Sequence, residues 1–323
     1  MTSSASNNFV AVSHAVLQIK GVGPGKIKKG IKNLGGNVST TDGYIDHFCR
    51  ELSLTRDEIC ENGAVDQAFE ILQSLDGECR TVAIIDDEYP EALKRLPTAP
   101  PFLVLRGAGI PFTNMIAIIG SRNPTGVTEE VSRALVDACN RHEVAICNGL
   151  ARGVDSIIFD AAVESKLPFV GVMAGGIAQN LDFTLSRGMA AQSHRVLESG
   201  GVLVSEYLNP VKETPYSIIA SCRLQAGVSQ GLALVQSASD GGSLYAVKAA
   251  QKVSNPVGVL TGHDSVDSAA FSGNQVLLDG EHGNGGVKPL RFIQIEEDFT
   301  DFLELIKNQI ESTGNNLSQP DLF

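Results

Sequence analysis

Residues 144–155, Val-Ala-Ile-Cys-Asn-Gly-Leu-Ala-Arg-Gly-Val-Asp, run from a β-branched stretch through the turn Gly149-Leu150-Ala151-Arg152-Gly153 into a helix start. Two similar junctions flank this one. Ile116-Ala117-Ile118-Ile119 leads into Gly120-Ser121-Arg122, and Leu232-Ala233-Leu234-Val235 leads, a few residues on, into Asp240-Gly241-Gly242-Ser243-Leu244. In a parallel α/β sheet such turns gather at the carboxyl edge of the strands, where ligands bind. Free N–H groups at the helix starts then meet a phosphate, helped by the helix dipole. Arg122 and Arg152 add guanidinium forks that grip phosphate with two donors; the competing reading is a pair of surface ion pairs. Three junctions with two arginines point to an anionic, phosphate-bearing ligand. Asp155 reads as the helix N-cap rather than as a catalyst, and Ser243 as either a cap or a hydroxyl for phosphate.

These residues also carry a resemblance. Gly120-Ser121-Arg122, then Gly149-Leu150-Ala151-Arg152-Gly153-Val154-Asp155, then Gly242-Ser243-Leu244 look, in that order, like the DprA/Smf family of DNA-processing proteins. Ser272-Gly273-Asn274-Gln275-Val276-Leu277-Leu278-Asp279-Gly280 resembles the family's late Asn-Gln-Leu-Ile-x-x-Gly segment, so the likeness spans roughly residues 80 to 285. It implies a non-enzymatic, Rossmann-like protein that binds single-stranded DNA, helps load the RecA recombinase in transformation or recombination, and forms a homodimer. Phosphate contacts are implied at Gly120, Ser121, Arg122, Gly149, Arg152, Gly153, Arg223, Gly241, Gly242 and Ser243.

The chain also departs from the family. An Arg-Asn-Arg triplet before Ala-Gly-Leu-Ser reads here as Ser221, Cys222 and Arg223 before Ala226-Gly227-Val228-Ser229. One arginine of the two is kept. Phe159 stands where the family often has histidine, and the Leu-Asp-x-x-Tyr-Pro continuation after Gly175-Gly176 has become Ala178-Gln179-Asn180-Leu181-Asp182-Phe183. DNA binding weaker than is typical of the family is therefore expected.

The elements that must position these turns follow from the pattern. From Met115 onward strand and helix signals alternate, which favours parallel βα units. Strands are predicted near 81–85, 116–119, 144–147, 169–173, 202–205, 232–236, 256–260 and 290–295. Helices are predicted near 127–141, 154–165, 184–198, 243–253 and 296–310. The strands' unbroken apolar character suits a sheet covered on both faces. Asp264 to Gly286 reads as a glycine-rich loop with a short helix. The fold class is thus α/β, an extended Rossmann-like domain over 79–296, preceded by a small helical domain over 1–78. An acidic helix and a disordered tail are expected over 297–323, with disorder from Glu311.

The N-terminal part has a signal of its own. Gly21-Val22-Gly23-Pro24-Gly25 lies between two helical patterns and is similar to a helix-hairpin-helix turn, with Gly21, Gly23 and Lys26 as its DNA contacts. A tight turn within a helical bundle is the alternative. The net charge of −12 argues against a generic nucleic-acid binder, since phosphates need positive patches. The charge is uneven, however: residues 1–41 hold Lys20, Lys26, Lys28, Lys29 and Lys32 and no acid. Any DNA-attracting field should therefore be local. Thr55 is predicted to cap a helix with an acidic first turn.

Other functions find fewer residues. No nucleophile with a base and orienter stands out, and the Gly-x-Gly-x-x-Gly dinucleotide fingerprint is absent, so no cofactor is expected. Six cysteines without Cys-x-x-Cys spacing and six scattered histidines suggest reduced thiols and no metal site. The runner-up is a nucleotide-derivative binder or hydrolase of the lysine-decarboxylase-like class, although its Pro-Gly-Gly-x-Gly-Thr turn is only Asp240-Gly241-Gly242-Ser243-Leu244 here. No apolar run reaches the length of about 20 residues for a membrane helix, and no secretory signal opens the chain, so a cytoplasmic location is expected. The final Gln319-Pro320-Asp321-Leu322-Phe323 is similar to the bacterial sliding-clamp-binding motif, with Gln319, Leu322 and Phe323 as its specified positions. A tail folded onto its own domain is the alternative.

Overall fold

Among the described residues, nine strands build one sheet in a computed structural model of the chain. The structure describes residues 3–109, 112–261, 269–280 and 288–317, with side chains of the last helix described through Gln309. The strands are β1 (Cys79–Ala83), β2 (Phe102–Gly107), β3 (Met115–Ile119), β4 (Ala145–Asn148), β5 (Phe169–Val172), β6 (Val202–Ser205), β7 (Gly231–Leu234), β8 (Val257–Leu260) and β9 (Leu290–Phe292). Their order is β1-β2-β6-β5-β4-β3-β7-β8-β9. From β6 through β9 all neighbours are parallel. Every residue of β3 to β8 is buried, which is why these strands read as unalternating apolar runs.

The Rossmann-like class is therefore the observed one. β1 matches the strand predicted near 81–85, whereas β2 and the antiparallel pairing of the β1–β2 ribbon with itself and with β6 fall outside that reading. Successive strands from β3 to β6 step to one side, and β7 to β9 to the other. The order reverses between β3 and β7, and a ligand crevice opens at the carboxyl ends of the strands flanking such a switch point.

The segments 91–95 and 215–228 form helices absent from the sequence reading. The second starts on a capping box in which the Thr214 hydroxyl accepts from the Ser217 amide at 3.1 Å and Pro215 holds the first turn. It packs against the Leu244–Lys252 helix, and together they wall one side of the crevice. Thr55 caps its helix as predicted, in a reciprocal box with Glu58. The last helix runs from Ile295 to Leu317, so residues from Glu311 to Leu317, expected as disordered, are helical. Once nucleated, a helix adds one hydrogen bond per residue, which carries it through poor helix formers. Gln319, Leu322 and Phe323 lie outside the described residues.

The N-terminal helices are Ser4–Gln18, Pro24–Gly30, Thr41–Leu52, Arg56–Ile59 and Ala64–Ser74. They share one apolar core with the sheet, from Phe9 and Phe48 through Phe102 to the strands. The hairpin turns at Gly21, whose φ is +81°, and Gly23 precedes Pro24 as the N-cap. Lys26 is exposed, whereas Lys28 donates to the Leu96 carbonyl at 2.5 Å. No described helix is long and apolar enough to cross a membrane.

Candidate functional site

A cleft of about 670 Å³ lies over the carboxyl ends of the central strands. Gly120, Ser121, Arg122, Gly149, Gly241, Gly242 and Ser243 line it together. Three turns from distant parts of the chain thus meet at one place because β4, β3 and β7 are neighbours. Ile119, Val172, Met189, Ile218 and Tyr245 supply an apolar wall.

Uncharged side chains hold the turns in shape. Asn148 is fully buried at the end of β4; its Oδ1 accepts from the Leu150 amide at 2.9 Å, and its Nδ2 donates to the Asp155 carbonyl at 3.1 Å. Leu150 can therefore keep its left-handed φ of +54°. Gln236, just past β7, accepts from the Thr125 amide at 3.1 Å and donates to the Asn123 carbonyl at 3.2 Å, fastening the turn after Arg122. Asn274 binds the Ser237 amide at 2.8 Å and the carbonyls of Val235 and Leu260 at 3.0 and 2.9 Å. The late Ser-Gly-Asn-Gln segment is thus a buckle for β7 and β8. Asn274 is legible in the sequence only as part of the late family segment, and Asn148 and Gln236 do not stand out, since an Asn or Gln gives no local sign of what it will bond.

Gly153 explains its own motif. Its φ is +94°, and a Cβ there would collide with the Ser121 carbonyl of the neighbouring turn. It also occupies the N-cap of the Val154–Glu164 helix, displacing Asp155 from the cap that the sequence suggested. The Asp155 Oδ2 instead accepts from the amides of Gly149 and Ala151 at 3.2 and 3.3 Å, locking the turn rather than the helix. Burial raises its carboxyl to about 7, against the pull of those amides and of Arg122. A carboxyl about half protonated at neutrality adds less negative charge to the cleft than an ordinary aspartate would.

That shift has a measurable consequence. The unfolded chain releases this proton near pH 3.8 and the folded chain near 7, so between them the folded state binds more protons. Stability contributed by this group therefore falls as pH rises through that window. Urea midpoints of wild type should decline from pH 4 to 7 more steeply than those of Asp155→Asn. Parallel profiles would show that Asp155 keeps an ordinary pKa.

The two arginines of the turns are available. Arg122 is exposed and makes no hydrogen bond or ion pair with any described residue. Arg152 is also exposed, donates to Asn123 Oδ1 at 2.9 Å, and faces a second groove beside the cleft. Arg223, expected to reach the cleft, does not line it. Its Nη1 donates to Glu206 Oε1 at 2.9 Å, its Nη2 bonds Glu206 Oε2, and its Nε donates to the Thr98 carbonyl at 3.2 Å. The carboxylate of Glu206 therefore engages this guanidinium with two contacts. Ser243 sits at the N-cap position of the Leu244–Lys252 helix without capping it, and its hydroxyl donates to Ser237 Oγ at 2.9 Å. Among the described residues no group of three or more His, Cys, Asp or Glu could hold a metal ion.

The model of the family described as DNA recombination-mediator protein A matches residues 80–282. The chain belongs to this family. Protein Smf of Escherichia coli (strain K12) is 30% identical over 147 residues, 46% of this chain and 38% of that protein. DNA processing protein DprA of Bacillus subtilis (strain 168) is 29% identical over 169 residues, 51% of this chain and 54% of its own length. The chain thus spans about half or less of these relatives. The X-ray structure of DNA processing protein A from Streptococcus pneumoniae shares the fold with a TM-score of 0.70 at 19% identity, over 90% of this chain and 96% of that one. A DNA processing protein A from Helicobacter pylori, described for its single-stranded DNA binding mode, gives 0.56 at 20% identity, over 72% and 97%. All the turns of the cleft fall inside the matched segment.

Proposed function

We propose that this DNA recombination-mediator family member binds single-stranded DNA through the cleft and acts without catalysing a reaction. The observation that carries the reading is the convergence of three glycine turns and an unpaired Arg122 over one switch-point cleft. Phosphates meet Arg122, Arg152 and the turns at Gly120–Ser121, Gly149 and Gly241–Ser243; bases rest on the apolar wall with Tyr245. Stacking on an aromatic face tolerates any base, so binding is sequence-independent. The runner-up, chemistry on a nucleotide derivative, needs free carboxylates. Asp155 and Asp240 are the acids of the described cleft lining, and Asp155 is engaged with backbone amides.

The finer reading extends to partners. The protein loads RecA onto the bound strand, pairs as a homodimer through the Rossmann-like domain, and carries a sliding-clamp ligand in Gln319, Leu322 and Phe323. The hairpin at Gly21, Gly23 and Lys26 gives a second DNA contact on the lysine-bearing N-terminal segment. Filter binding should show micromolar or weaker affinity for single strands that falls steeply with salt. Affinity that ignores salt would overturn the phosphate reading. ATP hydrolysis by RecA on coated strands should rise when the protein is added, and an unchanged rate removes the mediator role. Light scattering reads the homodimer, and deletion of residues 319–323 reads the clamp contact.

A further inference from the structure

A second groove of about 530 Å³ adjoins the cleft. Arg122, Ala151, Met189 and Ile218 line both, so nothing walls one from the other. Arg152 faces the second groove alone, and Gly188, Met189 and Gln192 come from the first turns of the Arg187–Glu198 helix. Arg187, exposed at that helix start, makes no ion pair with a described residue. The groove therefore has cations at its junction with the cleft and beside its far wall, with Leu150, Met189 and Ile218 as apolar surface between. Glu213 is the one carboxylate of its described lining, and its Oε1 accepts from the Ser186 amide at 2.8 Å. That bond holds the carboxylate against the Ser186 amide.

We propose that this groove continues the DNA path: a strand anchored at Arg122 crosses the Ala151–Arg152 turn and lays its next nucleotides along Gly188, Met189 and Gln192. The inference rests on the single-stranded DNA reading of the cleft. A mononucleotide fills one groove; two open grooves joined at a pair of arginines match a polymer with a phosphate at every step. The phosphates pass Arg152, and the bases meet the apolar surface.

Gly188 offers a clean test. It is helical, exposed, and a Cβ there meets nothing within 4 Å, so a side chain enters the groove without strain. Replacing a helical glycine also removes a backbone-entropy cost, so the variants should fold at least as well. Fluorescence anisotropy would compare oligothymidylates of about 4 and about 16 nucleotides on Gly188→Glu, Gly188→Arg and wild type. The 4-mer, which fits the cleft, should bind all three alike. The 16-mer should bind Gly188→Glu about three- to tenfold more weakly and Gly188→Arg more tightly, with the salt slope of the arginine variant steeper by about 0.7. Equal effects on both lengths, or none, overturn the second groove while leaving the cleft intact. Failure of wild type to bind either length overturns the cleft reading as well.

Discussion

Changing Arg122 and Arg152 together to alanine is expected to lower affinity for single-stranded DNA about a hundredfold at low salt. A charge-assisted hydrogen bond contributes about 1.5–3 kcal/mol. Both groups are exposed and screened, which holds each near the lower figure, and every 1.4 kcal/mol is about tenfold. The salt slope should shrink at the same time by about 1.4, since each phosphate contact on a single strand accounts for about 0.7. Stability should hardly change, because Arg122 bonds nothing described and Arg152 gives up one exposed bond to Asn123. Affinity and slope both equal to those of wild type would place the DNA elsewhere, with the lysine-rich hairpin next in line.

The contrast between these arginines and Arg223 shows where the sequence is readable. The turns at 120–122, 149–153 and 241–243 are legible because their constraint is local: a strand must stop, the backbone must turn, and a helix must begin. Parallel order then brings them together without further information. Arg223 belongs to the other kind of case. Its partner Glu206 sits beyond the end of β6, 17 residues away, and only the folded sheet shows that this carboxylate is closer than any cleft. The helix over 215–228 was illegible for another reason. Ile218 and Ile219 point toward the cleft or solvent while Leu224, Gln225 and Gly227 are buried, so apolar and polar residues fall on all sides and no stripe repeats. The Thr214-Pro215 start was a usable signal. Of the β1–β2 ribbon, β1 answers to the strand predicted near 81–85, whereas β2 escaped because Pro97, Pro100 and Pro101 masked a strand that begins just after them.

Breaking the Arg223–Glu206 pair is expected to destabilise the fold and spare DNA affinity. The side chains are 16% and 9% exposed, so Arg223→Ala leaves a carboxylate buried without its cation. Removing one partner of a buried pair costs about 3–5 kcal/mol, whereas replacing both with apolar groups of similar volume is often near neutral. Urea denaturation should therefore show a large loss for Arg223→Ala and for Glu206→Ala, and a much smaller one for Arg223→Met combined with Glu206→Leu. The further loss of the bond to the Thr98 carbonyl would loosen the segment on which the hairpin rests, since Lys28 bonds Leu96 and Gly25 packs against Pro97. Measured on the folded fraction, single-strand affinity of the Met/Leu pair should stay within about threefold of wild type, under 1 kcal/mol. A loss approaching that of the Arg122/Arg152 double variant, at retained stability, would return Arg223 to the binding surface. The kept arginine of the triplet then serves the ligand, and Glu206 is its resting partner rather than its purpose.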